Sequence, residues 1–208
     1  MLDVCGSLEG RRVLDVGCGE GRFARMLRER GAWVLGVDPI PRLVQEASAR
    51  DRAGFYLRGS GEQLPVCDGA FDLVVSYLTL IDIPDFRAAI AEMARALRKG
   101  GRLVVANINA FCTADPRGWL HDEAGNKLHF PVDRYLEERP NRVAWKGISV
   151  ENWHRPMSAT MGAFLTCGLT LKQYLEPAPP DDLRAAHPEW DHFWRVPYFH
   201  VLEWEKAP

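Results

Sequence analysis

The stretch Val13-Leu14-Asp15-Val16-Gly17-Cys18-Gly19-Glu20-Gly21-Arg22-Phe23 decides the fold of this chain. A β-favouring run over 11–16 stops at three alternating glycines, and a helical spacing of apolar residues begins directly after them. A glycine loop between a strand and a helix lets the backbone approach a ligand closely at the carboxyl end of a sheet. The stretch therefore predicts a ligand site where the first strand meets the first helix.

Strand and helix patterns alternate from this point to residue 107. Buried-strand patterns cover 11–16, 32–37, 53–57, 71–76 and 103–106. Helical patterns cover 22–30, 40–50 and a stripe from Phe86 to Leu97 that Lys99-Gly100-Gly101 ends. Such alternation implies a parallel sheet with right-handed crossovers, and the continuous apolar strands fit a sheet covered on both faces. The predicted fold is doubly wound α/β.

The second half of the chain departs from this alternation. Residues 108–150 carry repeated turn signals, and 135–139 is predicted to pair with 143–150 as a hairpin across Pro140-Asn141. A helix is predicted after His154-Arg155-Pro156, with Pro156 at its first position, followed by strands at 169–175 and 199–205. We expect one domain over 1–208, with 108–150 as an insertion that covers the substrate.

Composition excludes several classes of protein. An apolar fraction of 47% with 26% charged residues is that of a globular protein and not of a disordered one. The net charge of −2 predicts neither a nucleic-acid groove nor binding to an anionic membrane surface. No apolar run approaches the length that spans a bilayer, and no signal-peptide pattern opens the chain. A cytoplasmic protein is expected.

The cysteine and metal-ligand patterns predict neither a disulfide-bonded nor a metal-stabilised fold. The five cysteines are scattered and never spaced as CxxC, which argues against a disulfide framework and a zinc ribbon. No spacing of His, Cys, Asp or Glu suggests a metal site, so no metal is expected.

The glycine loop and the end of the second strand together indicate a nucleoside ligand. Dinucleotide sites use GxGxxG, whereas here the third glycine comes one position early and Arg22 stands in its place. The second strand closes on Asp38, whose carboxylate is suited to accept hydrogen bonds from both hydroxyls of a ribose. The alternative is that Asp38 only caps the helix behind Pro39.

Four segments in order carry a resemblance to a known family: VLDVGCGEG at 13–21, VLGVDPI at 34–40, GEQLPVCDGAFDLVVS at 61–76 and LRKGGRLVVAN at 97–107. The chain resembles the class I S-adenosylmethionine-dependent methyltransferases, in the small-molecule group related to quinone-biosynthesis methyltransferases. The resemblance implies a seven-stranded, mostly parallel sheet whose last strand is antiparallel. It also implies S-adenosylmethionine as the cofactor and S-adenosylhomocysteine as its product.

The resemblance further assigns cofactor-binding residues. It implies that Asp38, followed by Pro39, takes the ribose hydroxyls. Beside the adenine it places Ser60, Gly61 and Glu62, and at the loop under the sulfonium Ser76 and Tyr77. The methionine part and the ribose are assigned to Asp15, Gly17, Cys18, Gly19 and Gly21.

Two departures from the family pattern stand out. Ser60 occupies a position where many relatives have an aspartate for the adenine amino group, so either Ser60 makes a weaker bond or backbone groups hold the adenine. Only ten residues precede the first strand, so the N-terminal helical lid of many relatives is expected to be absent. The 108–150 insertion is then expected to cover the cofactor.

Methyl transfer from a sulfonium depends mainly on alignment, and a general base helps when the acceptor is a hydroxyl or a carbon acid. The candidates near the site are Tyr77, His121, His129 and His154, of which His154 is the first choice. The alternative for His154 is a structural histidine bonded to a loop carbonyl. Asp82 and Asp85 are interpreted as the cap of the helix near Phe86.

The sequence thus predicts transfer of a methyl group to the O, N or C atom of a small organic acceptor. The alternatives are methylation of tRNA or protein, or a non-catalytic protein that binds S-adenosylmethionine or S-adenosylhomocysteine. No nucleic acid or membrane partner is expected. The oligomeric state stays open, with a homodimer among the alternatives.

Overall fold

A computed structural model describes residues 1–145 and 148–208 of the chain. Its centre is a seven-stranded sheet in the order β3-β2-β1-β4-β5-β9-β8, beside a separate two-stranded hairpin of β6 and β7. The strands are β1 Arg12–Val16, β2 Trp33–Asp38, β3 Phe55–Arg58, β4 Phe71–Tyr77, β5 Leu97–Ile108, β6 Arg139–Trp145, β7 Ile148–His154, β8 Leu169–Leu175 and β9 Phe199–Lys206. The helices are α1 Leu2–Cys5, α2 Arg22–Arg28, α3 Pro41–Arg50, α4 Phe86–Ala96, α5 Ala110–Thr113, α6 Met157–Thr166 and α7 His192–Arg195.

The sheet confirms the predicted fold class. Strands β1 to β5 pair in parallel, and β9 runs antiparallel to both of its neighbours, β5 and β8. The order of the strands reverses between β1 and β4. In open α/β sheets, ligands bind at the carboxyl ends of the strands at such a reversal.

Helices cover both faces of the sheet, which explains why the strands are apolar along their whole length. On one face, Phe86 of α4 and Phe164 of α6 pack in a buried cluster with Trp204 of β9. On the other face, Phe23 and Leu27 of α2 pack with Cys5 of α1. Among the described residues, no helix combines the length and the apolar composition that crossing a bilayer would require.

The predicted end of α4 is wrong. The helix ends at Ala96, and Leu97 already pairs with Phe71 as the first residue of β5. The register then shifts, so that residues 98–101 bulge from β5 beside Asp72. Gly100 adopts a φ of +65°, and a Cβ at Gly101 would lie 2.8 Å from a backbone oxygen. The two glycines therefore shape an excursion within a strand and do not stop a helix.

The predicted hairpin exists, but its register is wrong. Pro140 and Asn141 lie inside β6, opposite Trp153 and Asn152 of β7. β6 ends at Trp145 and β7 begins at Ile148, and residues 146–147 lie outside the described residues. Proline is tolerated at the edge of a two-stranded sheet. Asn141 serves another purpose, because its amide donates a hydrogen bond to the carbonyl of Thr113 at 2.8 Å.

Strands β8 and β9 agree with the predicted strands at 169–175 and 199–205. The start of α6, the helix before them, differs from the prediction. Pro156 is the N-cap of α6 and has an extended backbone, so the helix begins at Met157. Gly168 follows the helix with a φ of +71°, as a glycine at a helix end commonly does.

Candidate active site

Two neighbouring cavities open at the carboxyl end of the sheet, one on each side of the glycine loop 17–21. The first, here called the Asp15 lobe, has a volume of about 430 Å³ and includes Asp15, Arg22 and Phe23 in its wall. The second, the Asp38 lobe, has a volume of about 470 Å³ and includes Asp38 and the segment 60–62. Gly17, Gly19 and Tyr77 line both lobes.

The glycine loop is held firmly and turns its backbone toward the lobes. Gly17 N and Cys18 N donate to the carbonyl of Val37 at 2.8 and 3.1 Å, which ties the loop to the end of β2. Gly17 has a φ of +74°, and a Cβ there would overlap the side chain of Thr79. Gly19, with a φ of +54°, faces open space instead. A ligand can therefore approach the backbone at this position without meeting a side chain.

Asp38 lies at the end of β2 and is buried, with 6% of its surface exposed. One carboxylate oxygen accepts from Gly19 N and the other from Ile40 N, both at 2.9 Å. The N-cap of α3 is Ile40, so the alternative that Asp38 merely caps this helix is not what the structure has. Each oxygen accepts one protein hydrogen bond and retains capacity for another.

Asp15 is fully enclosed beneath the loop, and its Oδ2 has no hydrogen-bond partner within the described part of the chain. Burial, together with the negative charge of Asp38, raises the pKa of Asp15 to about 7. A buried carboxylate oxygen without a partner is costly unless a ligand supplies a donor. Asp15 therefore suits the ammonium group of an amino acid.

Arg22 is the first residue of α2, beside the glycine loop, and its sequence position alone predicts no role for it in the site. Its exposed side chain forms part of the wall of the Asp15 lobe. Within residues 1–145 and 148–208, no ion pair engages its guanidinium at 4 Å or less. The Asp15 lobe thus holds an acid and a base, which together match the zwitterionic end of an amino acid.

The segment Ser60-Gly61-Glu62 lies on the wall of the Asp38 lobe, as the family resemblance implied. The Ser60 hydroxyl donates to the carboxylate of Glu62, and Glu62 N donates back to Ser60 Oγ at 3.2 Å. Gly61 has little room for a side chain, since a Cβ would lie 2.9 Å from Ile83. The hydroxyl of Ser60 is therefore engaged within the segment.

Ser76 and Tyr77 end β4 and differ in exposure. Ser76 is fully buried and lines neither lobe, whereas Tyr77 is 45% exposed, lines both and stacks on Phe23 at 5.3 Å. The loop after them carries backbone strain, because Leu78 has a φ of +56°. Thr79 fixes this loop by donating to the carbonyl of Gly17 at 3.3 Å.

The structure does not bring His154 to either lobe. It is the last residue of β7 and is fully buried. Its Nδ1 lies 2.8 Å from Thr113 Oγ1, and its Nε2 lies 2.8 Å from the carbonyl of Tyr135. Burial lowers its pKa. These contacts match the alternative of a structural histidine, and the geometry offers no support for a base at this position.

The other candidates are also separated by the fold. His121 and His129 line neither lobe. Asp85 caps α4 as predicted, accepting from Ala88 N at 3.0 Å. Asp82 does not share that cap; it lines the Asp38 lobe and accepts from the amide of Asn152 at 2.5 Å. This hydrogen bond could not be inferred from spacing, since Asn152 is distant in sequence.

The N-terminal residues were expected to leave the site uncovered. Instead, α1 provides a short wall, with Met1 and Leu2 lining the Asp15 lobe. Across the described residues, no group of three or more His, Cys, Asp or Glu side chains is arranged to hold a metal ion.

Comparisons with known proteins agree with this arrangement. Residues 14–105 match a family model described as a methyltransferase domain. A solved S-adenosylmethionine dependent methyltransferase from Mesorhizobium loti is 30% identical, with a TM-score of 0.87 over 99% of this chain and 95% of that one. The chain belongs to the S-adenosylmethionine-dependent methyltransferases.

Two curated relatives have narrower matches. A malonyl-[acyl-carrier protein] O-methyltransferase from Serratia marcescens is 39% identical over 110 residues, which is 53% of this chain and 43% of that protein. A demethylmenaquinone methyltransferase from Beutenbergia cavernae is 35% identical over 152 residues, which is 73% of this chain and 63% of that protein. The chain thus spans less than two thirds of the length of either curated relative.

Proposed function

We propose that this chain transfers the methyl group of S-adenosylmethionine to a small organic acceptor. The observation that carries the proposal is the pair of lobes around one glycine loop, with a buried carboxylate at the end of each adjoining strand. Asp38 lies on one lobe and Asp15 on the other. A nucleoside joined to an amino acid has complementary groups for both.

The residues present fit this donor. Asp38 has free acceptor capacity for two ribose hydroxyls beside the backbone of Gly19, and Pro39 lies beside it on the same wall. The segment 60–62 is assigned to the adenine side. Asp15 is assigned to the ammonium group and Arg22 to the carboxylate, while Gly17, Cys18 and Gly21 shape the loop between them. The donor supplies a methyl group on a sulfonium, and Tyr77 and Phe23 form an aromatic wall near the junction of the lobes.

The acceptor is proposed to be a small molecule. In support, the chain carries a net charge of −2, which does not favour a nucleic-acid substrate. The two curated relatives are named for a malonyl group on a carrier protein and for a menaquinone precursor. The acceptor atom stays open between O, N and C. We assign no metal to the reaction and propose an intracellular, cytoplasmic role.

Calorimetric titration with S-adenosylhomocysteine tests the donor site. Saturable binding is expected, and Asp38→Ala is expected to weaken it strongly. Nicotinamide cofactors serve as the control ligands and should not bind. Absence of S-adenosylhomocysteine binding in the folded protein would overturn the proposal.

Catalysis is tested with S-adenosylmethionine labelled in its methyl group, a panel of phenols, amines and carboxylic acids, and samples of tRNA and protein as further acceptors. Transfer of label to at least one panel compound is expected. If the donor binds but no small acceptor, tRNA or protein takes the label, the alternative of a non-catalytic binding protein is correct.

A further inference from the structure

The Asp15 lobe is larger than the part of the donor that is assigned to it. Its volume of about 430 Å³ nearly equals the volume of the Asp38 lobe, which is about 470 Å³. The Asp38 lobe is proposed to receive the adenosine part of the donor, and this part is much larger than the amino acid part. A donor whose adenosine fits the Asp38 lobe therefore leaves space in the Asp15 lobe.

The charged side chains on the wall of the Asp15 lobe are Asp15, Glu20 and Arg22. Asp15 and Arg22 are assigned to the ammonium and carboxylate groups of the donor. Glu20 accepts from Arg25 Nη2 at 2.9 Å and also from Arg50. Each of these three side chains thus has a partner or an assigned role, and the rest of the wall decides what else the lobe can hold.

Four apolar residues form much of the rest of this wall: Met1, Leu2, Phe23 and Met26, here called the apolar strip. Phe23 belongs to the buried cluster on this face of the sheet, and the other three are half-buried and pack against that cluster. Their exposed parts border the cavity. Apolar side chains in this position offer contact to an apolar part of a ligand.

The geometry of α2 separates the apolar strip from Arg22. Side chains three positions apart share one face of a helix, which places Phe23 and Met26 together. Neighbouring residues point about 100° apart around the helix axis, so Arg22 projects from the adjoining side. The Asp15 lobe therefore has a charged side for the amino acid part of the donor and an apolar side next to it.

The apolar strip extends to the junction of the two lobes through Tyr77. The rings of Phe23 and Tyr77 stack with their centroids 5.3 Å apart. Of the residues that line both lobes, which are Gly17, Gly19 and Tyr77, only Tyr77 has a side chain. The sulfonium joins the ribose and the amino acid part of the donor, so it would lie at this junction. The apolar strip therefore adjoins the place where the methyl group is transferred.

We propose that the apolar strip binds an aromatic ring of the methyl acceptor, an inference that rests on the proposed function. The sulfur atoms of Met1 and Met26 make favourable contacts with aromatic rings, and methionine side chains adapt to the shape of a ligand. Phe23 and Tyr77 add ring surfaces for offset or edge-to-face packing. A charged group placed against the strip would lose its hydration without gaining a partner. The acceptor class is thus an aromatic compound whose nucleophilic atom lies at the Tyr77 end.

The test uses indole as the probe and protein labelled with ¹³C in its methionine methyl groups. Indole is titrated by NMR into wild-type protein that is saturated with S-adenosylhomocysteine. A saturable shift of the Met26 signal is expected, because the ring would lie against that methyl group. Met161 of α6 packs on the opposite face of the sheet, and its signal should not move. Met26→Leu, which removes one signal, assigns the resonance.

A variant measures the contribution of the strip to affinity. Met26→Gln keeps the length of the side chain and replaces the thioether with an amide. It should weaken indole binding by about 10-fold, because apolar contact is exchanged for a polar group that must lose water. Met161→Gln is the matched control and should bind indole as the wild type does. Titration of each variant with S-adenosylhomocysteine reports whether its donor site is intact.

Two results would overturn the aromatic pocket. Indole that binds only to donor-free protein would show that the Asp15 lobe holds the donor alone, and an unmoved Met26 signal would place the ring elsewhere. The titration of S-adenosylhomocysteine alone separates the two proposals. Donor binding without indole binding beside Met26 overturns the aromatic pocket and leaves the proposed function standing. Failure of the donor to bind overturns both.

Discussion

Asp38 holds the glycine loop and is proposed to accept hydrogen bonds from the hydroxyls of a ribose. Its oxygens bond Gly19 N and Ile40 N at 2.9 Å, and it forms part of the Asp38 lobe. Asp38→Ala is expected to weaken S-adenosylhomocysteine binding by about 30- to 1000-fold, since charge-assisted bonds to both hydroxyls are lost. Calorimetry measures the change.

The matched control for this variant is Asp85→Ala. Asp85 caps α4 and lines neither lobe, so its loss should lower stability by about 1 kcal/mol and leave donor affinity unchanged. Unchanged affinity in the Asp38 variant itself would remove that residue from the site.

Arg22 is expected to bind the carboxylate of the donor from the wall of the Asp15 lobe. Arg22→Ala should weaken S-adenosylhomocysteine by about 10-fold, because a charge-assisted hydrogen bond is lost. Binding of 5′-deoxy-5′-(methylthio)adenosine, which lacks the amino acid part, should not change. Equal losses for both ligands would show that Arg22 acts only on the loop, and Arg22→Lys should restore part of the affinity.

His154 joins β7 to two other segments, through Thr113 and through the carbonyl of Tyr135. His154→Ala should lower the free energy of unfolding by about 2–3 kcal/mol, since two buried hydrogen bonds are lost. Urea denaturation measures this loss, while kcat per folded molecule should stay near that of the wild type. A 100-fold fall in kcat with unchanged stability would instead establish the base role first expected for this residue.

At the scale of the element, the sequence predicts what is encoded locally. The strands around Val13, Val34 and Val104 are predicted because both of their faces are buried, which leaves long apolar runs. The glycine loop and Asp38 are also predicted from local sequence, because each directly follows or ends a predicted strand. Arg22 is missed because its role depends on which cavity the folded chain builds beside it.

The hairpin of β6 and β7 shows why the remainder could not be inferred. Trp153 N donates to the carbonyl of Ile81 at 2.7 Å, and Asn141 bonds the carbonyl of Thr113. In the observed register, the hairpin thus contacts residues that lie far away in the chain. A turn signal such as Pro140-Asn141 carries no information about these contacts. The same limit applies to His154, whose direction depends on a partner 41 residues away.

The contacts of the hairpin with Ile81 and Thr113 also narrow the part of the 108–150 insertion that is expected to move. The hairpin is attached to the loop after β4, whereas 116–138 has little regular structure beyond an isolated bridge between His121 and Lys127. We expect amide exchange in 116–138 to slow about 10-fold when S-adenosylhomocysteine and an acceptor bind, and exchange in 149–154 to change little. Hydrogen exchange read by mass spectrometry checks this. Identical protection of 116–138 with and without ligands would show a static cover.

At the scale of the whole molecule, two buried groups oppose each other in the pH dependence of stability. The pKa of Asp15 rises from 3.8 to about 7 on folding, so its ionisation destabilises the donor-free fold increasingly as the pH rises from about 4 to 7. The pKa of His200 falls from 6.5 to about 4, so its protonation destabilises the fold as the pH falls through that window. In the wild-type protein the two effects partly cancel between pH 4 and 7.

Asp15→Asn separates them, because it removes one buried charge and leaves His200 in place. The variant should be more stable than the wild type by about 2–4 kcal/mol at pH 8, where the wild-type carboxylate is ionised, and the difference should shrink toward zero near pH 4. Urea denaturation of both proteins without donor, at pH 8 and pH 4.5, measures the difference. Asp68→Asn, which neutralises an exposed carboxylate, is the control. Asp15→Asn should nevertheless bind S-adenosylhomocysteine more weakly than the wild type does. The charge of Asp15, which destabilises the empty fold, is the one proposed to receive the ammonium group. A stability difference independent of pH would show that the pKa of Asp15 is the same in the folded and the unfolded protein.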